Sequence, residues 1–141
     1  MIDARELKIG NYVYLQSSKT PCRITEIGYS EIEYPRYEAS GRSSEAVFRT
    51  YVDNLKPILL TAQLLLNCGF VYNAIDDCFD RLNLRIRILG NSICAFIGFE
   101  VGLGKEWHDA NIEVKSLHQL QNLYFALTGK ELEVEIGRAH V

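Results

Sequence analysis

The spacing of apolar residues changes character along the chain. Up to Pro57 it alternates in short runs. Tyr12-Val13-Tyr14-Leu15 follows a turn at Ile9-Gly10-Asn11, and Cys22-Arg23-Ile24-Thr25-Glu26-Ile27 repeats with period two. Ser30-Glu31-Ile32-Glu33-Tyr34 does the same, and Val47 to Val52 sends Phe48 and Arg49 to opposite faces. Ser17-Ser18-Lys19-Thr20-Pro21 reads as a loop. So does Tyr37 to Ser44, which carries Ser40-Gly41-Arg42-Ser43-Ser44. Four or five short strands with tight turns predict a small SH3-like β-barrel over residues 1–57.

Beyond the connector at Asp53 to Leu60, helical and strand periods mix. Thr61 can cap a helix running through Leu66, with Gly69 as the residue that ends it. Asp76-Asp77-Cys78-Phe79-Asp80 reads as a polar turn. Leu82-Asn83-Leu84-Arg85-Ile86-Arg87-Ile88 alternates without a break, and Gly90-Asn91 turns into Ile93 to Phe99. A third strand is predicted at Asn111 to Lys115. Ser116 then caps a last helix that Gly129 ends, with Leu117, Leu120, Tyr124 and Leu127 as one apolar stripe. Residues 58–134 therefore predict an α-β-β-β-α unit with an antiparallel sheet, packed on the barrel. The fold class is α+β.

Composition narrows the function classes. Hydrophobic residues are 48% and charged residues 23%, which is globular and excludes a disordered chain. Fifteen basic against eighteen acidic residues give a net charge of −3, which argues against generic nucleic-acid binding. No apolar run is long enough to span a membrane, and Met1 to Glu6 holds no apolar signal core, so a cytoplasmic protein is expected. Cys22, Cys68, Cys78 and Cys94 form no Cys-x-x-Cys pair, and the three histidines are scattered. Free thiols are expected, and neither a metal site nor a cofactor. A single catalytic cysteine would need a base brought close by the fold.

Four stretches carry candidate chemistry. Arg81, Arg85 and Arg87 share the polar face of one predicted strand. Such a row can hold phosphates bidentately, or it can be a solvated face paired with Glu100 or Glu113. Gly102-Leu103-Gly104-Lys105-Glu106-Trp107-His108-Asp109 is the most site-like stretch, read as a glycine-hinged loop between strands. Trp107 can stack on a base and Lys105 can meet a phosphate. The plainer reading is a hairpin tip whose Trp covers the core edge. Its Gly-x-Gly-Lys is not a P-loop, and the adjacent His108 and Asp109 would point apart on an extended chain. Six of the eight tyrosines lie at positions 12, 14, 29, 34, 37 and 51. With Arg36, Arg42 and Arg49 they can form an aromatic, basic surface, or simply suit half-buried strands. His118, with Gln119, Gln121 and Asn122, can form an anion site at a helix start or a structural polar cluster beneath a neighbouring strand.

Two resemblances complete the reading. Glu135-Ile136-Gly137-Arg138-Ala139-His140-Val141 resembles the translation of a common sequencing adapter. That implies a natural end near Val134 and a tail at 135–141 with no part in the core. Ala4-Arg5-Glu6-Leu7-Lys8-Ile9-Gly10-Asn11-Tyr12-Val13 resembles the opening of a family of small proteins encoded in phages and prophages of Bacteroides-type gut bacteria. Leu60-Thr61 with the helix to Cys68-Gly69-Phe70 resembles that family's middle motif. The run from His118 to Leu132 resembles its closing one, while positions 71 to 115 carry little of the likeness. The family has no established activity, so the resemblance implies phage context rather than chemistry.

Together these features predict a binding protein in the cytoplasm of an infected bacterial host. It would counter antiviral defence by sequestering a nucleotide-derived signal, of the cyclic dinucleotide or cyclic ADP-ribose type, without cleaving it. The expected ligand contacts are Arg85, Arg87, Lys105, Trp107 and His108. The alternatives are a protein-interaction inhibitor of a host defence enzyme, and a small nucleotide hydrolase using His108 or His118 with a carboxylate. Unpaired strand edges and a high apolar content predict a homo-oligomer.

Overall fold

The computed structural model describes residues 2–16, 18–32, 35–44 and 46–135. The expectations for the tail at 136–141, and for Glu33 and Tyr34, fall outside the described residues. The fold is α+β, with two antiparallel five-stranded sheets and two α-helices. No helix among the described residues is long and apolar enough to cross a membrane.

The chain divides into two units. The first holds residues up to Leu59 together with Ser116–Asn122. Its strands are β1 (Tyr12–Leu15), β2 (Pro21–Ser30), β3 (Arg36–Arg42), β4 (Val47–Tyr51) and β5 (Leu55–Lys56), in the order β4-β3-β2-β1-β5. A 3-10 turn at Val52–Asn54 joins β4 to β5, which lies at the opposite edge of the sheet, and buries Val52. Period-two residues from the strands, Val13, Ile24, Ala39 and Leu55, meet Ile2, Leu7 and Val52 in one core. Two expectations are corrected here. The strand expected at Cys22–Ile27 is longer, because β2 runs unbroken from Pro21 to Ser30, and of the run expected from Ser30 only that residue is strand while Glu31 and Ile32 lie beyond it. Residues 37–42 are not a loop, because β3 is bonded on both sides, to β2 and to β4, and only Ser43 and Ser44 of that stretch lie in the connection. Pairing on two edges outweighs the loop-like composition. Gly41 serves a close approach rather than flexibility. A Cβ there would lie 2.3 Å from the Arg23 carbonyl oxygen and 2.7 Å from the Phe48 ring.

The second unit runs from Leu60 to Lys115 and resumes at Leu123. Helix α1 (Ala62–Asn67) starts where Thr61 Oγ1 accepts from Leu64 N at 3.1 Å, and Gly69 follows its end at φ +84°. Helix α2 (Leu117–Thr128) counts with the first unit as far as Asn122 and with the second from Leu123. Its ends match the sequence reading. Gln119 Oε1 accepts from Ser116 N at 3.2 Å, half of a capping box, and Gly129 at φ +71° bonds back to Phe125.

Between the helices stand five strands, where three were expected. They are β6 (Val71–Asn73), β7 (Cys78–Arg81), β8 (Leu84–Leu89), β9 (Ser92–Val101) and β10 (Gly104–Glu113), in the order β10-β9-β8-β7-β6. Phe79, Leu84, Ile86 and Ala95 are buried on one face. The expected polar turn at 76–80 is half strand: Cys78 and Phe79 are buried in β7, and Asp80 lies opposite Arg85. The glycine-hinged loop at 102–109 is likewise corrected. The turn is confined to Gly102 and Leu103, since Val101 pairs with Gly104 and β10 begins there. The strand predicted at Asn111 to Lys115 instead ends at Glu113.

Candidate functional site

Register decides which candidate residues meet. Arg81 pairs with Leu84 across a two-residue turn at Leu82-Asn83, so both side chains leave the same face of the sheet. The expected row of three arginines is therefore broken. Arg81 donates from Nη1 to the Cys68 carbonyl, and its guanidinium carbon lies 5.1 Å from the Tyr124 ring centre. The unbroken alternation of the sequence from Leu82 to Ile88 hides this turn, which separates Arg81 in β7 from Arg85 and Arg87 in β8.

Arg85 and Arg87 remain together on the other face, and β10 brings Trp107 and Lys105 to it. Trp107 pairs with Gly98, and the ring crosses that glycine: a Cβ at Gly98 would lie 2.9 Å from Trp107 Cζ3. With no side chain in the way, the indole reaches Arg85, whose guanidinium carbon stands 4.3 Å from the ring centre. Lys105 Nζ stands 5.6 Å from the same centre and donates to the Leu82 carbonyl at 2.9 Å. Arg87 lies 5.5 Å from the Phe96 ring and donates to the Asp76 carbonyl at 3.0 Å. Trp107 is thus a fixed strand residue under a cation, not a loop residue free to close.

Two carboxylates missing from the sequence reading of the site hold this face in place. Asp80 accepts from Arg85 Nε at 2.7 Å and from Nη2 at 3.0 Å, a bidentate pair, and Asp76 Oδ2 lies 3.3 Å from Nη2. Burial pushes the Asp80 carboxyl up, but the hydrogen bonds and charge of Arg85 outweigh it, and its pKa lies below the ordinary value. Arg85 itself is 9% exposed, and its Nη1 takes no part in these bonds. Asn73 Oδ1 accepts from the backbone of Ile75 and Asp76 and so shapes the turn that presents Asp76. The signals for these residues were the Asp-rich turn and a glycine inside a strand.

His108 does not join this group. It faces the opposite side of β10, 3.3 Å from Glu106 and with its ring 5.4 Å from that of Phe99. The tyrosine and arginine surface of the first unit is largely self-paired. Arg36 lies 3.6 Å from the Tyr51 ring and 3.3 Å from Asp53, and Arg49 holds Glu38 at 2.7 Å. His118 bonds only Ser116 at the start of its own helix, whereas Gln121 and Asn122 form the polar support of a neighbouring segment. Gln121 accepts from Tyr12 N at 2.8 Å and donates to the Gly10 carbonyl at 3.0 Å, while Asn122 bonds Asn11 and the Glu6 carbonyl.

Cys22, Cys68, Cys78 and Cys94 are free. Burial raises the first three, with Cys68 pushed up to about 12, so these thiols are protonated at neutral pH. Among the described residues no group of three or more His, Cys, Asp or Glu side chains could hold a metal. No family model, curated protein or solved structure matches the chain.

Proposed function

We propose that this chain is a phage-encoded binding protein that sequesters a nucleotide-derived immune signal in the cytoplasm of the infected bacterium, leaving the ligand intact. The observation that carries the reading is the arrangement around Trp107. One indole, stacked with Arg85, has Lys105 beside it and Arg87 on the same face. A base needs a flat partner, and phosphates need cationic donors held in place. The Asp80 pair fixes the Arg85 guanidinium at little entropic cost on binding while leaving Nη1 for a ligand. In the first unit we read an SH3-like barrel. The strand order β4-β3-β2-β1-β5 and the 3-10 turn before the last strand support that reading.

The test is calorimetry with a panel of cyclic dinucleotides and cyclic ADP-ribose isomers, followed by denaturation and recovery of the ligand. Heat release with intact ligand is expected. Arg87→Ala, which leaves the Asp80–Arg85 pair in place, is expected to cost about 1.5–3 kcal/mol of binding. No binding to any member, or a chemically altered ligand, overturns the reading. A second reading, an inhibitor docking on a host defence enzyme, is favoured by one feature. The tip of the β9–β10 hairpin exposes Phe99, Val101 and Leu103. Loss of a host-enzyme complex on Leu103→Ser, with no nucleotide bound, would establish it.

A further inference from the structure

The edge of the second sheet carries a pattern that fits a copy of itself. β10 is an edge strand, and Gly104 to Asp109 is exposed apart from the half-buried Trp107. The direction of its free backbone groups follows from β9. Gly98 N donates to the Asn83 carbonyl, away from β10. Gly98 and its partner Trp107 are therefore a non-hydrogen-bonded pair, and the N–H and C=O of Trp107 point to the open edge. Lys105 and Asp109, two residues to either side, present theirs the same way. Regular pairing with β9 extends to Asp109, and a bulge follows before Glu113.

In an antiparallel pair about a two-fold axis normal to the sheet, one residue must face its own copy. Centring on Lys105, Glu106, His108 or Asp109 sets a titratable group against itself. Centring on Trp107 opposes two uncharged residues, whose rings lean inward over Gly98 and leave the backbones free to approach. The same register puts Lys105 opposite Asp109 of the other copy, twice a pair of opposite sign, and Glu106 opposite its His108, a carboxylate against an imidazole rather than against a like charge. It also makes the central pair and the Lys105–Asp109 pairs hydrogen-bonded ones, using the groups already aimed outward. At the other sheet's β4 edge, the register centred on the middle residue, Arg49, opposes two guanidiniums.

We propose that the protein forms a two-fold dimer through β10, in the register centred on Trp107, joining two five-stranded sheets into one continuous sheet. The partner is a second copy of this chain, selected by self-complementary charge, and the proposal stands independently of any ligand. The test is sedimentation of the full chain at high micromolar concentration. The natural sequence is expected to be a dimer. Lys105→Asp and Asp109→Lys each place like charges across the axis twice, and each is expected to weaken the dimer at least about tenfold. Mixed in equal amounts, the two variants restore opposite charges at both pairs and are expected to form a heterodimer. That recovery also shows that both variants are folded. A monomeric natural sequence, a single variant as dimeric as the parent, or a mixture that stays monomeric would each overturn the proposal.

Discussion

Leu82 holds φ at +54° at the first position of the turn between β7 and β8, a position that favours glycine. Its side chain is 56% exposed, so little packing compensates. Leu82→Gly is expected to stabilise the chain by up to about 1 kcal/mol, read as a higher urea midpoint at unchanged slope. His118 makes the opposite case, a residue held by burial at a cost. Its Nδ1 lies 3.1 Å from Ser116 Oγ, and its Nε2, without a hydrogen-bond partner, lies 3.9 Å from Glu6 Oε2. Burial lowers its pKa below the ordinary 6.5, and the Glu6 charge only partly opposes this. The unfolded chain therefore takes up a proton as pH falls through 6.5 while the folded chain resists it. Stability is expected to fall on acidification below that value, by no more than about 1.4 kcal/mol per pH unit from this residue. His118→Gln should flatten that part of the profile, as urea midpoints at several pH values would show.

Helix boundaries and strand boundaries were not equally legible. Thr61 and Gly69, or Ser116 and Gly129, act on backbone groups within four residues, so the sequence around them is sufficient. Thr61→Ala removes the acceptor for Leu64 N and is expected to cost about 1 kcal/mol, measurable by thermal unfolding. Strands take their bonds from distant segments. β3 looked like a loop, and β10 like a loop with a short strand after it, because their neighbours along the chain say nothing of β2, β4 or β9. Gly98 shows how two elements are fitted together. Gly98→Ala would drive a methyl group into the Trp107 ring, at an expected cost of about 1–3 kcal/mol. Trp107 is the sole tryptophan, so its emission reports the displacement directly, with a shift to the red expected.

At the scale of the whole molecule, α2 contributes residues to both units. A twelve-residue helix is marginal without tertiary packing, and half of it more so. Losing either unit strips part of α2 and should carry the rest with it. Trp107 fluorescence, which reports the second sheet, and far-UV dichroism, which reports the whole chain, are expected to give coincident denaturant transitions. Two separated transitions would show that the units unfold independently. The α+β class, the helix ends, the clean strand around Leu84 to Ile88 and the cation and indole types at the candidate site were readable in the chain, because local periodicity and capping determine them. Tertiary pairing alone decided that Arg81 leaves the row, that Asp76 and Asp80 hold Arg85, that Trp107 crosses Gly98 and that His108 faces away. Each of these depends on register between segments that the sequence does not align, where a shift of one residue moves a side chain to the other face.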